Sequence, residues 1–223
     1  VGGACTMCGE PEKWTGDVAE AFESGTGTRY DPYIIASPAQ LAFLAKSVSE
    51  GTTYSNRYFR LANDIDLGGR EWTPIGQAYA TRFIGTFDGD GHTISNFKIT
   101  ATYDENAYVG LFGYIRENAI QNLGVTEFVI EVSGTANLYV GGLAGHLYRT
   151  NLENCYASGT ITCPASSATI YAGGLFGYQD ADNTSAYSVK NCHADVLVTV
   201  SGNSACAGGL AGYLRNVPLS DSH

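Results

Sequence analysis

Basic charge is what this 223-residue chain has least of. Lys and Arg total 12 against 22 acidic residues, a formal net charge of −10, and the basic residues are spread thinly. Nucleic-acid backbones and anionic membranes are held chiefly by clusters of such residues, so neither is an expected partner. Long apolar runs are also missing. No stretch approaches the ~18 consecutive apolar residues that cross a bilayer, and membrane insertion is not expected. No secretory signal stands at the start, which decides nothing for a mature or trimmed chain. The four histidines show neither HxxxH nor HxH spacing. There is no GxSxG elbow, no phosphate-binding loop and no dinucleotide fingerprint. These absences leave no catalytic residues, no metal centre and no cofactor to name, and the chain reads as a non-enzyme.

The six cysteines are Cys5, Cys8, Cys155, Cys163, Cys192 and Cys206. An even count permits disulfides without demanding them. "CTMC" (5–8) has no second CxxC to complete a zinc site and no βαβ context for redox work, so it reads as a local disulfide or the tail of a preceding segment. "VGGAC" lacks the apolar stretch that would precede a lipid-modified Cys5.

What the chain does have is glycine, 28 residues, and tyrosine, 15. That composition favours strands and turns, and the acidic, Lys-poor balance fits an extracellular protein. Residues 1–28 read as an irregular lead-in. In "SPAQLAFLAKSVSEG", Ser37 is an N-cap, Pro38 takes the first helical position and Gly51 follows the end. Leu41, Leu44, Ala45 and Val48 share one face. The spacing predicts a helix over 37–50, and with the first strands it forms an N-terminal cap over 29–82.

From residue 58 the period changes to two. Four segments then share one pattern: "ISNFKI" (94–99), "IQNLGV" (120–125), "LENCYA" (152–157) and "VKNCHA" (189–194). Each follows a glycine-bearing turn: "FIGTF", "YVGLFG", "YVGGLAG" and "YAGGLFG". Gly113 to Leu123 is ten residues and so is Gly145 to Cys155, while "DADNTS" lengthens the next interval as a loop. Fixed cores with variable loops are the mark of a stacked solenoid. The fold class expected is all-β: a parallel, right-handed β-helix of about five rungs, with repeats over 83–223 and one continuous domain over 29–223.

Stacking predicts four ladders. Ile94, Ile120, Leu152 and Val189 make one; Phe97, Leu123, Cys155 and Cys192 a second; Ile99, Val125, Ala157 and Ala194 a third. Asn96, Asn122, Asn154 and Asn191 make the fourth, with amides bonded rung to rung across about 4.8 Å. The glycines would turn tight corners and admit neighbouring rungs without a Cβ between them. Cys155 and Cys192 fall on adjacent rungs, where about 4.8 Å between Cβ atoms exceeds the usual disulfide separation, and read as a buried thiol pair in preference to a bond. Cys163 and Cys206 are candidates to pair across a loop. "CAGGLAGYLRNVPLSDSH" (206–223) reads as a rung halted before its Asn position. Its open edge would be blocked by Pro218, by more chain, or by a self-partner.

"GLFG" (110–113), "GLAG" (142–145), "GLFG" (174–177) and "GLAG" (209–212) resemble the motif of the GLUG family, named for Gly-Leu-x-Gly. The upstream "PYIIASPAQLAFLAKSVSEGTTYSNRYFRLANDIDLGG" and "GTFDGDGHTISNFKI" resemble the segments that precede such motifs. The resemblance covers about residues 29–216. It implies a β-solenoid displayed at a bacterial surface; the motif also occurs in some IgA-cleaving peptidases, outside their catalytic part. It implies no catalytic residues.

Among candidate sites, Tyr103, Tyr108, Tyr139, Tyr156 and Tyr171 are expected to be exposed. Tyr108, Tyr139 and Tyr171 align across rungs. They read either as corner packing beside the glycines or as a stripe that stacks on sugars or proteins. "DGDGH" offers Asp88 and Asp90 as Ca²⁺ candidates, against the plainer reading of a tight turn; "NDIDLGG" offers Asp64 and Asp66 on the same logic. Asp88, Asp90, Asp180 and Asp182 would flank a groove if the solenoid cleaved polysaccharide. The function expected is a non-catalytic bacterial surface or secreted module for adhesion or for binding host or bacterial glycans or proteins. The alternative is a polysaccharide-active enzyme or lectin-like domain.

Overall fold

The computed structural model describes residues 12–182 and 186–223; Cys5, Cys8 and the end of the "DADNTS" loop lie outside them. Strand β1 (Tyr33–Ile35) precedes α1 (Pro38–Ser49), and β2 (Tyr58–Leu61) and β3 (Ile65–Glu71) follow. The next circuit is β4 (Thr86–Asp88), β5 (Thr93–Tyr103), β6 (Ala107–Val109) and β7 (Phe112–Arg116). Its copy is β8 (Ala119–Gln121), β9 (Gly124–Gly134), β10 (Leu138–Gly141) and β11 (Ala144–Tyr148). In the third circuit, β12 (Asn151–Glu153) leads into one long strand, β13 (Tyr156–Gly173), and then β14 (Phe176–Asp180). Strands β15 (Val189–Lys190), β16 (His193–Gly208), β17 (Ala211–Arg215) and β18 (Leu219–Ser220) close the chain.

These strands form three sheets. The first runs β1-β2-β4-β8-β12-β15-β18, the second contains β3, β5, β6, β9, β10, β13 and β16, and the third is β7-β11-β14-β17. Every pairing between named strands is parallel. The chain is therefore a three-sided β-solenoid of about five rungs. No rung can bury its own apolar face; stacking does it. The core is one cluster from Ile35 to Val217.

Helix α1 spans 38–49, within the expected 37–50. Ser37 is the N-cap in backbone geometry, with φ −145°, but its hydroxyl makes no capping bond. The Gln40 Oε1 instead accepts the Ala36 N–H at 2.7 Å. Leu41, Ala42, Leu44, Ala45 and Val48 are buried and join the cluster that contains Ile35 and Leu61.

The corners answer what the repeats need. At the corner between first and second sheets, Asn122, Asn154 and Asn191 adopt φ of 52°, 54° and 50°. Asn tolerates this left-handed conformation better than most residues. The Asn191 Nδ2 donates to Asn154 Oδ1 at 2.8 Å, and Asn154 Nδ2 to Asn122 Oδ1 at 2.8 Å. The row ends on Asp88, whose Oδ1 accepts from Asn122 at 2.9 Å.

Asn96 does not belong to that row. Ile94 pairs with Val125, not Ile120, and the pairing skips from Ser95↔Thr126 to Lys98↔Val129. Asn96 and Glu127 therefore lie level as left-handed residues, φ 60° and 56°, in a short break of the ladder that leaves its register unchanged. The Asn96 amide bonds Asp66 instead, at 2.9 Å. Phe59, Phe87, Ile120, Leu152, Val189 and Leu219 form the apolar row of the first sheet. Ile94 instead stacks with Val125, Ala157 and Ala194. Ile99 aligns with Ile130, and Phe97 lies over Phe128 at 5.7 Å between ring centroids.

The Gly-Leu-x-Gly corner works differently from the expectation of a special backbone bend. None of its glycines has positive φ. A Cβ on Gly145 would lie 2.5 Å from Val109 N and 2.7 Å from Tyr139 O. Gly113, Gly177 and Gly212 meet backbone just as closely, at 2.2, 2.4 and 2.6 Å. The motif ends in glycine because two sheets cross there with no room for a side chain.

The C-terminal rung is complete through its Asn-equivalent position, contrary to the sequence reading. Val189 pairs with Leu219 and Lys190 with Ser220, which puts Asp221, φ 50°, level with Asn191. Ser222 follows level with Cys192 and donates its Oγ to Ser220 O at 2.7 Å, as Cys192 Sγ does to Lys190 O at 3.2 Å. Asp221 lies nine residues after Gly212, the same offset that separates Asn122 from Gly113. The polar replacements hid it.

Candidate functional site

Just before the glycine corner, β6, β10 and β13 hold Tyr108, Tyr139 and Tyr171 in one register. They alternate with Val109, Val140 and Ala172, which are fully buried, so the rings face outward. Their centroids are 5.0 and 5.3 Å apart, with planes 16° and 9° from parallel.

Immediately after the corner, β7, β11, β14 and β17 hold Tyr114, His146, Tyr178 and Tyr213 in register. Their centroids are 4.6, 4.9 and 4.7 Å apart. The two columns touch: Tyr108 meets Tyr114 edge-on at 5.0 Å, Tyr139 meets His146 at 5.5 Å, and Tyr171 meets Tyr178 edge-on at 5.2 Å. Outward rings from two sheets can meet only where the corner is re-entrant. The columns therefore form a shallow aromatic trough along the solenoid, and the backbone contact at the motif glycines brings its walls together. Tyr213 is 38% exposed and Tyr114 buried; the other rings are half-buried. Burial, and for Tyr108 the neighbouring Tyr139, raises the phenol pKa of Tyr108, Tyr171 and Tyr178.

One flank is charged. Asp180 Oδ1 lies 3.2 Å from His146 Nε2, and its Oδ2 accepts from Arg215 at 2.8 Å. Burial pushes this carboxyl up, but His146 and Arg215 outweigh it and hold the pKa below the ordinary value. The other ring nitrogen, His146 Nδ1, is buried without a partner. Beyond it, Arg116 and Arg149 lie over the Tyr148 ring at 5.2 and 5.1 Å. Arg149 pairs with Glu117 at 3.1 Å and with Asp182, and Tyr148 donates to Asp182 at 2.9 Å. Hydrogen bonds from Arg149 and Tyr148 lower the Asp182 pKa.

Of the residues singled out in the sequence, Tyr108, Tyr139 and Tyr171 come together. Tyr103 and Tyr156 do not join them. Tyr103 is packed half-buried against the core, and Tyr156 stacks on His193 at 5.3 Å. The second column was missed, although its signal is plain: each member directly follows a motif glycine, Gly113, Gly145, Gly177 or Gly212.

The acidic candidates are spent locally. Asp88 accepts from Asn122, from Gln121 at 2.7 Å and from the Asp90 N–H at 2.9 Å, the arrangement of a tight turn. Asp64 accepts from the Thr93 N–H and Asp66 from Gly68 N–H and Asn96. Asp88 stands on the first sheet while Asp180 ends β14 on the third, so the four carboxylates do not line one groove. Cys155, Cys163, Cys192 and Cys206 are all free thiols, so the proposed Cys163–Cys206 bridge does not form. Cys163 faces the core and Cys206 solvent, and burial pushes the Cys163 thiol up to about 12.

Residues 136–162 match the family model described as the GLUG motif. The chain is 39% identical over 137 residues to a protein of Evansella cellulosilytica described as "Putative Gly-rich membrane protein". It is 30% identical over 174 residues to "Halomucin" of Haloquadratum walsbyi. These alignments cover 58% and 71% of this chain but only 15% and 2% of the relatives' own lengths. Among solved structures it is similar to one titled "Crystal structure of a putative immunoglobulin A1 protease" from Bacteroides ovatus. That similarity has TM-score 0.48 and 20% identity, covering 90% of this chain and 77% of the other. The chain thus carries the GLUG motif, and one of its relatives is described as a membrane protein. No helix among the described residues is long and apolar enough to cross a membrane.

Proposed function

We propose that this GLUG-motif β-solenoid is a non-catalytic module of a bacterial surface or secreted protein, and that it holds an extended glycan or protein ligand along its aromatic trough for adhesion. The observation that carries the reading is the pair of touching ring columns, half-open to solvent, side by side through three consecutive rungs and extended to a fourth by Tyr213. Aromatic faces bury much area at little entropic cost, and a repeat along the axis suits a polymer. The two acids beside the trough are unsuited to proton donation. Glycoside hydrolysis needs one carboxyl kept protonated as a proton donor, whereas Asp180 and Asp182 are both held ionised by their partners.

The test is a glycan and matrix-protein array probed with the wild type and with Tyr139→Ala/Tyr171→Ala, alongside a reducing-end assay on the same polysaccharides. Binding that falls at least tenfold in the variant, without product release, is the expected result. Release of reducing ends would overturn the non-catalytic reading. Undiminished binding by the variant would remove the trough from it.

A further inference from the structure

The geometry points to a second binding site, on a different sheet, that takes an anionic sugar unit. Strands β1, β2 and β4 turn Ile34, Tyr58, Arg60, Thr86 and Asp88 outward while Phe59, Leu61 and Phe87 fill the core. The segment 29–32 rises beside them, and together they enclose a groove of about 600 Å³. Arg29, Tyr30, Asp31, Tyr58, Arg60 and Asp88 supply its chemistry.

What singles out this groove is which of its charges are already satisfied. Both oxygens of Asp88 accept hydrogen bonds, from Gln121, Asn122 and the Asp90 N–H. Asp31 Oδ2 accepts the Thr26 N–H at 3.0 Å and the Thr26 hydroxyl at 2.8 Å. The arginines have no protein partner. Among the described residues, the exposed side chains of Arg29 and Arg60 make no hydrogen bond or ion pair. Elsewhere Arg70 and Arg82 donate to backbone carbonyls, Arg57 to Thr26 O at 3.4 Å, and Arg116, Arg149 and Arg215 are in ion pairs. In a chain of net charge −10, the two uncommitted guanidinium groups line the same groove.

A guanidinium presents a planar fork of donors matched to carboxylate or sulfate. Tyr30, 95% exposed, and Tyr58 supply rings on which a pyranose face can lie. The remaining lining is hydroxyl, amide and carboxylate, which suits ring hydroxyls. The ligand class is therefore a saccharide that carries carboxylate or sulfate groups. A phosphate polyanion would need a longer basic track than two residues. The site is independent of the aromatic trough, so either can fail alone.

The test uses the whole chain and calorimetric titration with hexagalacturonate, a sulfated oligosaccharide, neutral cellohexaose and hexaglutamate. Binding of the uronate or sulfated sugar at least tenfold tighter than cellohexaose is expected, weakening as salt rises from 50 to 300 mM. Arg29→Ala/Arg60→Ala should lose that preference with its melting temperature unchanged, since neither side chain has a partner to lose. Tyr139→Ala should keep it. Chemical shift changes should centre on Tyr58, Arg60 and Thr86. Equal affinity for cellohexaose, or anion binding retained in the double variant, overturns the site. Tight binding of hexaglutamate alone would overturn it in favour of an acidic peptide.

Discussion

A single missing atom explains the most repeated residue of the chain. The last glycine of each Gly-Leu-x-Gly unit sits where a Cβ would strike backbone of the preceding rung, and backbone cannot rotate away as a side chain can. Gly145→Ala should cost about 2–3 kcal/mol by overpacking. Gly209→Ala, with nothing within 4 Å of its added carbon, should change stability by less than about 0.5 kcal/mol. Denaturant melts of the two variants check the contrast; equal losses would mean that the close approach is not what the motif serves. At the opposite corner the demand is conformational. Asn154, at φ 54°, both adopts the left-handed region and bonds its neighbours' amides. Asn154→Ala should lose about 2 kcal/mol, from the left-handed penalty plus the two amide bonds. Asn154→Gly keeps the backbone fit and should lose about 1 kcal/mol. Matched melts should therefore rank wild type, glycine, alanine.

At the scale of elements, the trough depends on strands that present a ring on one face and an aliphatic side chain on the other. Its charged flank gives it a pH response. The Asp180 pKa is below its ordinary value, near 3.9 when unfolded, so its ion pairs stabilise the fold fully above that pH. The contribution is lost as pH falls through the lower, native value. Asp180→Asn should be less stable than wild type by about 1–2 kcal/mol at pH 6, and the gap should be smaller at pH 2. A pair of urea melts at the two pH values measures it; a gap that persists in acid would mean that the aspartate acts through packing. Helix α1 belongs to the same scale. It was legible to within one residue at each end, because Pro38 and Gly51 punctuate a stretch whose apolar spacing is helical.

Across the whole molecule, stability is a sum over stacked rungs and their interfaces. Strands β16, β17 and β18 each pair on one side only among the described strands, and Leu197 on β16 is 68% exposed. The opposite end is covered by α1 and by clustered rings, with Phe59 5.6 Å from Phe83 and Phe83 5.5 Å from Phe112. Amide hydrogen exchange should therefore be fastest in 193–220 and slowest in the strands around Phe87 and Ile120. Uniform protection along the axis would indicate a single cooperative unit instead.

The sequence by itself determined the architecture, because a solenoid repeats its local needs: an inward aliphatic at every second residue, glycine where backbones touch, and a small amide where φ turns positive. Those needs are written in each copy and are countable. Tertiary structure alone decided register and company. Asn96 matches the Asn motif in letters, but the strand register sets it inside the second sheet, level with Glu127. Asp221 and Ser222 carry different letters but occupy the positions of Asn191 and Cys192. The second ring column followed every motif glycine in plain view, yet only folding showed that it meets the first, since whether a corner is re-entrant depends on how two sheets cross. The free arginines were invisible for a similar reason. A sequence shows that a charge exists, and only neighbours in space show whether it is already satisfied.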